Sequence, residues 1–309
     1  MARTVALVRL MRPHHWVKNG FVLVGVLFGH GWTDAKLVMQ AALLFAAFCL
    51  VSSAVYALND VMDREADRRH PKKRERPVAA GRVSPSKALG FALALALAGL
   101  FLASRVSLPA LGFAVAYMAL NAGYSAGLRE VAILDVFIIA AGFMLRILAG
   151  TVGLGIAPSH WLLLCGLMVT VFLGFAKRRA ELGAGRTPRG ETSAHWESKA
   201  MDRNEEHVAA RSALANYTPA LLDHMIWLSA GGTLVTYALY TVDNVTILTH
   251  GTDKLAYTVA FVLYGLFRYL YVLYRRGGGA DPAVEVLRDP HLLAAVTGWL
   301  ATALMLIAG

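Results

Sequence analysis

Two cysteines in 309 residues are too few for a disulfide framework or a cysteine metal site, and Cys49 and Cys165, both in apolar runs, read as small packing residues. Charge is scarce as well: 16% of the chain, against about 25% in ordinary globular proteins. The longest polar stretch, about 177–218, is too short to bury a core of its own, so no soluble domain is expected. The basic N-terminal segment lacks a clean small-residue cleavage site after its apolar run, and the first hydrophobic element is expected to stay.

Apolar residues are what the chain has instead. They make up 57% of it, with a mean hydropathy of +0.53. Runs of about 18 to 25 mostly apolar residues fall near 17–33, 37–58, 86–104, 108–126, 131–150, 159–176, 219–242, 255–274 and 291–309, which predicts an all-α membrane bundle of nine helices. The first run is short and interrupted by Gly20, Gly25, Gly29 and Gly31, so an interfacial or re-entrant element competes there. The expectation is one polytopic domain over 1–309 with functional loops near 59–87 and 177–218. Of the 30 Lys and Arg residues, 25 fall on one side of the nine-helix arrangement, which by the positive-inside rule makes the N-terminus and both loops cytoplasmic. The net charge of +10 then belongs to the cytoplasmic face, where it suits anionic headgroups and phosphorylated substrates and not nucleic acid.

Residues 56–82, YALNDVMDREADRRHPKKRERPVAAGR, interrupt this apolar sequence abruptly. Asn59, Asp60, Asp63 and Asp67 stand at i, i+1, i+4 and i+8, a spacing that on one helix lines the three aspartates along a face with Asn59 beside them. Carboxylates so close repel unless a cation neutralises them, and hard oxygen ligands suit Mg²⁺, which commonly bridges one or two carboxylates to substrate phosphates. The basic run that follows, Arg68, Arg69, Lys72, Lys73, Arg74 and Arg76, suits the anion. The competing reading is a solvated loop with internal salt bridges.

Three further sets carry charge. Lys177, Arg178, Arg179 and Glu181 stand at the end of the sixth run, where helix-dipole complementation and snorkelling compete with phosphate binding. Tyr124, Arg129 and Glu130 occupy a short turn, with Asp135 one turn into the fifth run and Arg146 three turns further. Asp135 and Arg146 share a face but lie roughly 16 Å apart along the axis, so they cannot pair directly. Each either pairs with another helix or helps line a polar cavity opening to the cytoplasm. Before the first run, RPHHWVKNG offers Lys18 and Asn19 to a phosphate, or Trp16 and the basic residues as an interfacial anchor. Its adjacent histidines point in different directions on a helix, against a metal pair. Gly150, Gly153 and Gly155 read as a turn.

The N-D-x-x-D-x-x-x-D motif of Asn59, Asp60, Asp63 and Asp67, the downstream RERPVAAGRVS, the YSAGLR turn and the nine apolar runs together resemble the UbiA superfamily of intramembrane prenyltransferases over nearly the whole chain. The resemblance implies nine helices around a central cavity open to the cytoplasmic face, in which the aspartate motif holds Mg²⁺ against a diphosphate. Most members carry a second aspartate-rich motif after the sixth helix; here AKRRAEL stands there, implying a more heavily anionic substrate. With RPHHWVKN, this looks like the branch that moves 5-phosphoribose from 5-phosphoribosyl 1-diphosphate to a polyprenyl (decaprenyl) phosphate for cell-wall arabinan synthesis in a bacterial plasma membrane. On that resemblance Asn59, Asp60, Asp63 and Asp67 would hold Mg²⁺. Lys18, Arg74, Arg82, Lys177 and Arg178 would hold phosphates, with Asn59, Tyr124, Arg129 and Arg146 also toward substrate. Asp135 would position Tyr124 or Arg129, or stabilise the ribose. The rivals are a prenyltransferase acting on a small acceptor and an anion transporter; a homo-oligomer is left open.

Overall fold

A computed structural model of the chain describes residues 2–71, 73–184, 212–279 and 282–308, all helices and turns with no strand among the described residues. Among the described residues seven helices are long and apolar enough to cross a membrane, so this is a multi-pass membrane protein. Four helix starts share one grammar, a polar cap followed by proline, which lacks the N–H that the first helical turn leaves unpaired. Ser84 precedes Pro85, Ser107 precedes Leu108 and Pro109, Thr218 precedes Pro219, and Asp289 precedes Pro290. Ser107, Thr218 and Asp289 accept from backbone N–H groups of the first turn.

The chain folds as two compact units, Met1–Leu128 with Ala141–Pro158, and Arg129–Ala140 with Ser159–Gly309. In the first, α1 (Ala2–Met11) and a 3-10 segment (Pro13–Leu23) lie along α3 (Ala35–Met62). Between them come α2 (Val24–Phe28) and a second 3-10 turn (Gly31–Thr33). The long helix also packs on α5 (Pro85–Val106), which packs on α6 (Leu108–Ser125). Leu44, Phe48 and Val51 meet Ala110, Ala114 and Tyr117 in its core, with Ala149 of α7 (Leu134–Gly150). Small residues at this seam let backbones approach closely. A Cβ on Gly25 would lie 1.8 Å from the Gly150 carbonyl oxygen, and one on Gly150 1.8 Å from that of Val22, so neither position admits a side chain.

The second unit centres on α8 (His160–Ala184) against α10 (Pro219–Val242), with α9 (Ser212–Ala215) and α11 (Asn244–His250) as short connecting helices. The pair α12 (Val259–Arg275) and α14 (Pro290–Ala308) follows, with α13 (Pro282–Arg288) between them in sequence. Phe172, Phe175, Leu222, Ile226, Tyr269 and Leu270 form its core.

Two expected spans differ. The run at 17–33 is not one helix: its glycines leave the 3-10 segment and a five-residue helix, held along α3 by polar side chains. The run at 108–126 is an 18-residue helix but stands outside the seven. Glycines 150–155 do turn the chain, Gly155 at φ 75° closing a 3-10 turn at Val152–Leu154. Most of the loop expected at 177–218 lies outside the described residues, and residues 177–184 still belong to α8.

Candidate functional site

The aspartate motif does not lie on one uninterrupted helix. The long helix stops at Met62, Asp63 is its cap, and a new helix, α4 (Arg64–Arg69), carries Asp67. Among the described residues no three His, Cys, Asp or Glu side chains gather into a metal-binding group, so the expected three-carboxylate face is not formed. Arginine stands there instead. Asp60 and Asp67 are both buried; one guanidinium nitrogen of Arg76 lies 3.5 Å from the first and 2.7 Å from the second. Arg12 also donates to Asp60. Burying carboxylates requires such partners, because an unpaired charge in low dielectric costs several kcal/mol. Asn59 accepts from the Ser125 hydroxyl at 2.8 Å. The donor set nonetheless fits a hard divalent cation, since two buried carboxylates already converge on a single positive centre.

Arg12 reaches Asp60 from a left-handed backbone, φ 54° and ψ 60°, at the start of the 3-10 segment. From there the segment runs antiparallel to α3 through a ladder of hydrogen bonds. Trp16 donates to Ser53 at 3.1 Å, and Asn19 to Ser52 at 3.2 Å and to the Cys49 sulfur at 3.3 Å. The ladder ends at Arg146, buried deep in α7, which donates to Asn19 at 2.8 Å, to the Tyr117 hydroxyl at 2.9 Å and to the Gly142 carbonyl at 2.9 Å. Its guanidinium also lies over the Tyr117 ring, 4.4 Å from the centroid. Among the described residues no carboxylate pairs with this charge; neutral oxygens and an aromatic face stabilise it.

In the second unit, Asp135 and Arg178 are buried together at 2.6 Å, and Arg178 also pairs with Glu181 at 2.7 Å. Tyr217 donates to the other oxygen of Asp135 at 2.8 Å. Burial, and next the bond to Asp135, push the Tyr217 hydroxyl well above the usual tyrosine range, so it stays a donor. Arg179 turns away to Asp223 at 2.8 Å.

As their spacing predicts, Asp135 and Arg146 do not pair, and each has found its own partners. Arg178, expected at a phosphate, is instead neutralised by two carboxylates. Asp135, expected to position Tyr124 or Arg129, meets Arg178 and Tyr217. Lys18, Tyr124, Arg129 and Lys177 are half-buried, while Arg74 and Arg82 are exposed, Arg82 donating to the Glu75 carbonyl. Arg12 and Arg76 stand in the charged sets of the sequence, but nothing there singles them out as partners of the aspartates. Tyr117 and Tyr217 carry no sequence signal, as a tyrosine at a membrane edge has no distinctive spacing.

The sequence model of the UbiA prenyltransferase family matches residues 20–181. A decaprenyl-phosphate phosphoribosyltransferase of Corynebacterium glutamicum is 31% identical over 97% of this chain and 86% of its own length. That of Mycolicibacterium smegmatis is 30% identical over 96% and 90%. Among solved structures, a UbiA homolog from Archaeoglobus fulgidus bound to GPP and Mg²⁺ superposes with a TM-score of 0.70 at 15% identity, covering 98% of this chain and all (100%) of that one. The family match runs through Asn59–Asp67 to Glu181, and with relatives aligned over nearly the full length it places this protein in the UbiA prenyltransferase family.

Proposed function

We propose that this protein transfers 5-phosphoribose from 5-phosphoribosyl 1-diphosphate to the phosphate of a polyprenyl lipid such as decaprenyl phosphate, releasing diphosphate, at the cytoplasmic face of a bacterial plasma membrane. The observation that carries this reading is the near full-length similarity to decaprenyl-phosphate phosphoribosyltransferases. The end of α8 supports it, because a segment with Lys177 on its half-buried flank, and with Arg178 and Arg179 held by Asp135, Glu181 and Asp223, stands where a carboxylate motif would serve a second metal-bound diphosphate. The N-terminus is assigned to the cytoplasm by the positive-inside rule.

Asp60, Asp63 and Asp67, with the Asn59 amide oxygen, are the residues that would hold Mg²⁺. When bound, the ion neutralises charge on the departing diphosphate. Arg12 and Arg76, which now balance Asp60 and Asp67, are poised to turn their remaining N–H groups to the donor's phosphates. Lys18, Arg74, Arg82 and Tyr124 are proposed around the same anion, and Arg129 and Lys177 are proposed as phosphate ligands within their own unit. Arg146 supports this set by fixing Asn19, next to Lys18.

Transfer then forms a bond from a lipid phosphate oxygen to C1 of the ribose while the C1–O bond to diphosphate breaks, the electron pair leaving with diphosphate. An ionised phosphate needs no general base. The residues' task is to position, to exclude water and to stabilise the oxocarbenium-like centre between two anions.

The test is purified protein in detergent with Mg²⁺ and radiolabelled phosphoribosyl diphosphate, with or without polyprenyl phosphate, counting label in the organic phase. Extraction that requires both lipid phosphate and Mg²⁺ is expected. Consumption of a prenyl diphosphate without such extraction would assign the chain to prenyl transfer instead.

A further inference from the structure

Ile133 has a backbone that its side chain opposes. Its φ is +70°, left-handed, although a β-branched residue meets the following carbonyl there and rarely adopts it. The turn around it is otherwise regular: the Asp135 N–H donates to the Val131 carbonyl at 3.0 Å, and the Ile133 carbonyl accepts from Val136 and Phe137 as α7 begins. The side chain is 40% exposed, so packing does not hold the conformation. A hydroxyl does. Tyr217 accepts from the Ile133 N–H and donates to Asp135 at 2.8 Å, gripping the turn at two residues spaced i and i+2. The tyrosine is itself fixed, buried in the core with Phe172, Leu222 and Ile226. Asp135 is fixed from its other side by Arg178. Strain kept in place by specific partners is commonly found where a segment must be held for function.

We propose that Tyr217 is a positioning residue: through the Ile133 N–H and Asp135 it holds the turn before α7 in its strained form, and so sets where the 3-10 turn Leu128–Glu130 presents Arg129 to the donor. Ile133 lies four residues beyond Arg129, with no helix between Glu130 and Leu134 to absorb a backbone flip. Release of the left-handed residue redirects the segment that carries the arginine. The inference rests on the phosphoribosyl reading for its substrate, and on the geometry of the turn alone for the clamp.

The experiment compares wild type, Tyr217→Phe, Ile133→Gly and the double variant in two measurements on the full chain in detergent. Tyr217→Phe keeps the ring in the core and removes only the hydroxyl. In the first measurement, hydrogen exchange of a peptide spanning 129–134, Tyr217→Phe is expected to exchange faster by about tenfold, the loss of one or two hydrogen bonds. In the second, its KM for phosphoribosyl diphosphate rises about five- to tenfold with kcat changed less. Glycine accepts a positive φ at no steric cost, so Ile133→Gly should restore the donor KM of Tyr217→Phe toward wild type. A merely structural tyrosine would lower thermal stability and leave KM unmoved, with no rescue by glycine.

Wild-type transfer with an unchanged donor KM in Tyr217→Phe overturns the inference and leaves the functional reading standing. If wild type transfers no phosphoribose, the functional reading falls and the exchange measurement decides the clamp, unchanged exchange overturning it.

Discussion

The Nε of Arg178 donates to Oδ2 of Asp135 at 2.6 Å, and both side chains are buried. A residue that sequence alone offers to a phosphate is thereby tied into the packing of its own unit, while its neighbour Lys177 remains on the half-buried flank of the same helix. The two substitutions should therefore part company. Arg178→Ala, which strands Asp135, is expected to destabilise the protein by about 3–5 kcal/mol. Lys177→Ala should fold normally and weaken donor binding by about tenfold, a loss on the scale of a charge-assisted hydrogen bond. Thermal scans in detergent with donor titrations separate the two, and equal effects would remove the distinction.

The aspartates should divide similarly. Asp63→Asn, at a half-buried helix cap, is expected to keep the fold and cut Mg²⁺-dependent turnover at least about a hundredfold, since even residues behind metal ligands cost 10–100-fold. Asp60→Asn should lose turnover and stability together, because Arg12 and Arg76 both rest on that buried carboxylate. Full activity in both variants would dismiss the metal assignment.

Arg146 is held by neutral groups, so its value lies in geometry. Lysine cannot reproduce the fork that reaches Asn19, Gly142 and Tyr117 at once. Arg146→Lys is expected to destabilise by about 1–3 kcal/mol through oxygens left unpaired. A double-mutant cycle with Asn19→Ala should show coupling of about 1 kcal/mol; simple additivity would mean that the ladder is not one unit.

Acid should expose the Asp289 node. That carboxylate takes both donors of the Arg268 fork, Arg276 at 3.0 Å and two N–H groups of the helix it caps. The Arg268 hydrogen bond foremost holds its pKa far below the ordinary aspartate value. A depressed folded pKa stabilises fully above the unfolded value near 4, and the contribution is lost as pH falls below it. Asp289→Asn should thus have a lower melting temperature than wild type at pH 6, with the gap narrowing below about pH 4. A gap independent of pH would assign the effect to capping and not to charge.

What local rules govern was legible in the residues. Long apolar runs matched the seven long apolar helices at seven of the nine expected spans, and Pro219–Val242 to the residue, because desolvating a backbone forces it to pair within its own segment. The polar caps before Pro109, Pro219 and Pro290 are legible for the same reason, each accepting from the first turn of its own helix. The aspartate motif stood out because charge against apolar flanks needs a purpose.

Pairing over distance came from packing alone. Arg12 meets Asp60 across 48 residues, Asn19 meets Arg146 across 127, and Tyr217 meets Asp135 across 82. No spacing rule links such positions, since a buried charge accepts any complementary group that packing brings near. Asp63 shows the limit most plainly: a helical spacing predicted one face, and the chain ended the helix there, so that two arginines and not a third carboxylate meet Asp60.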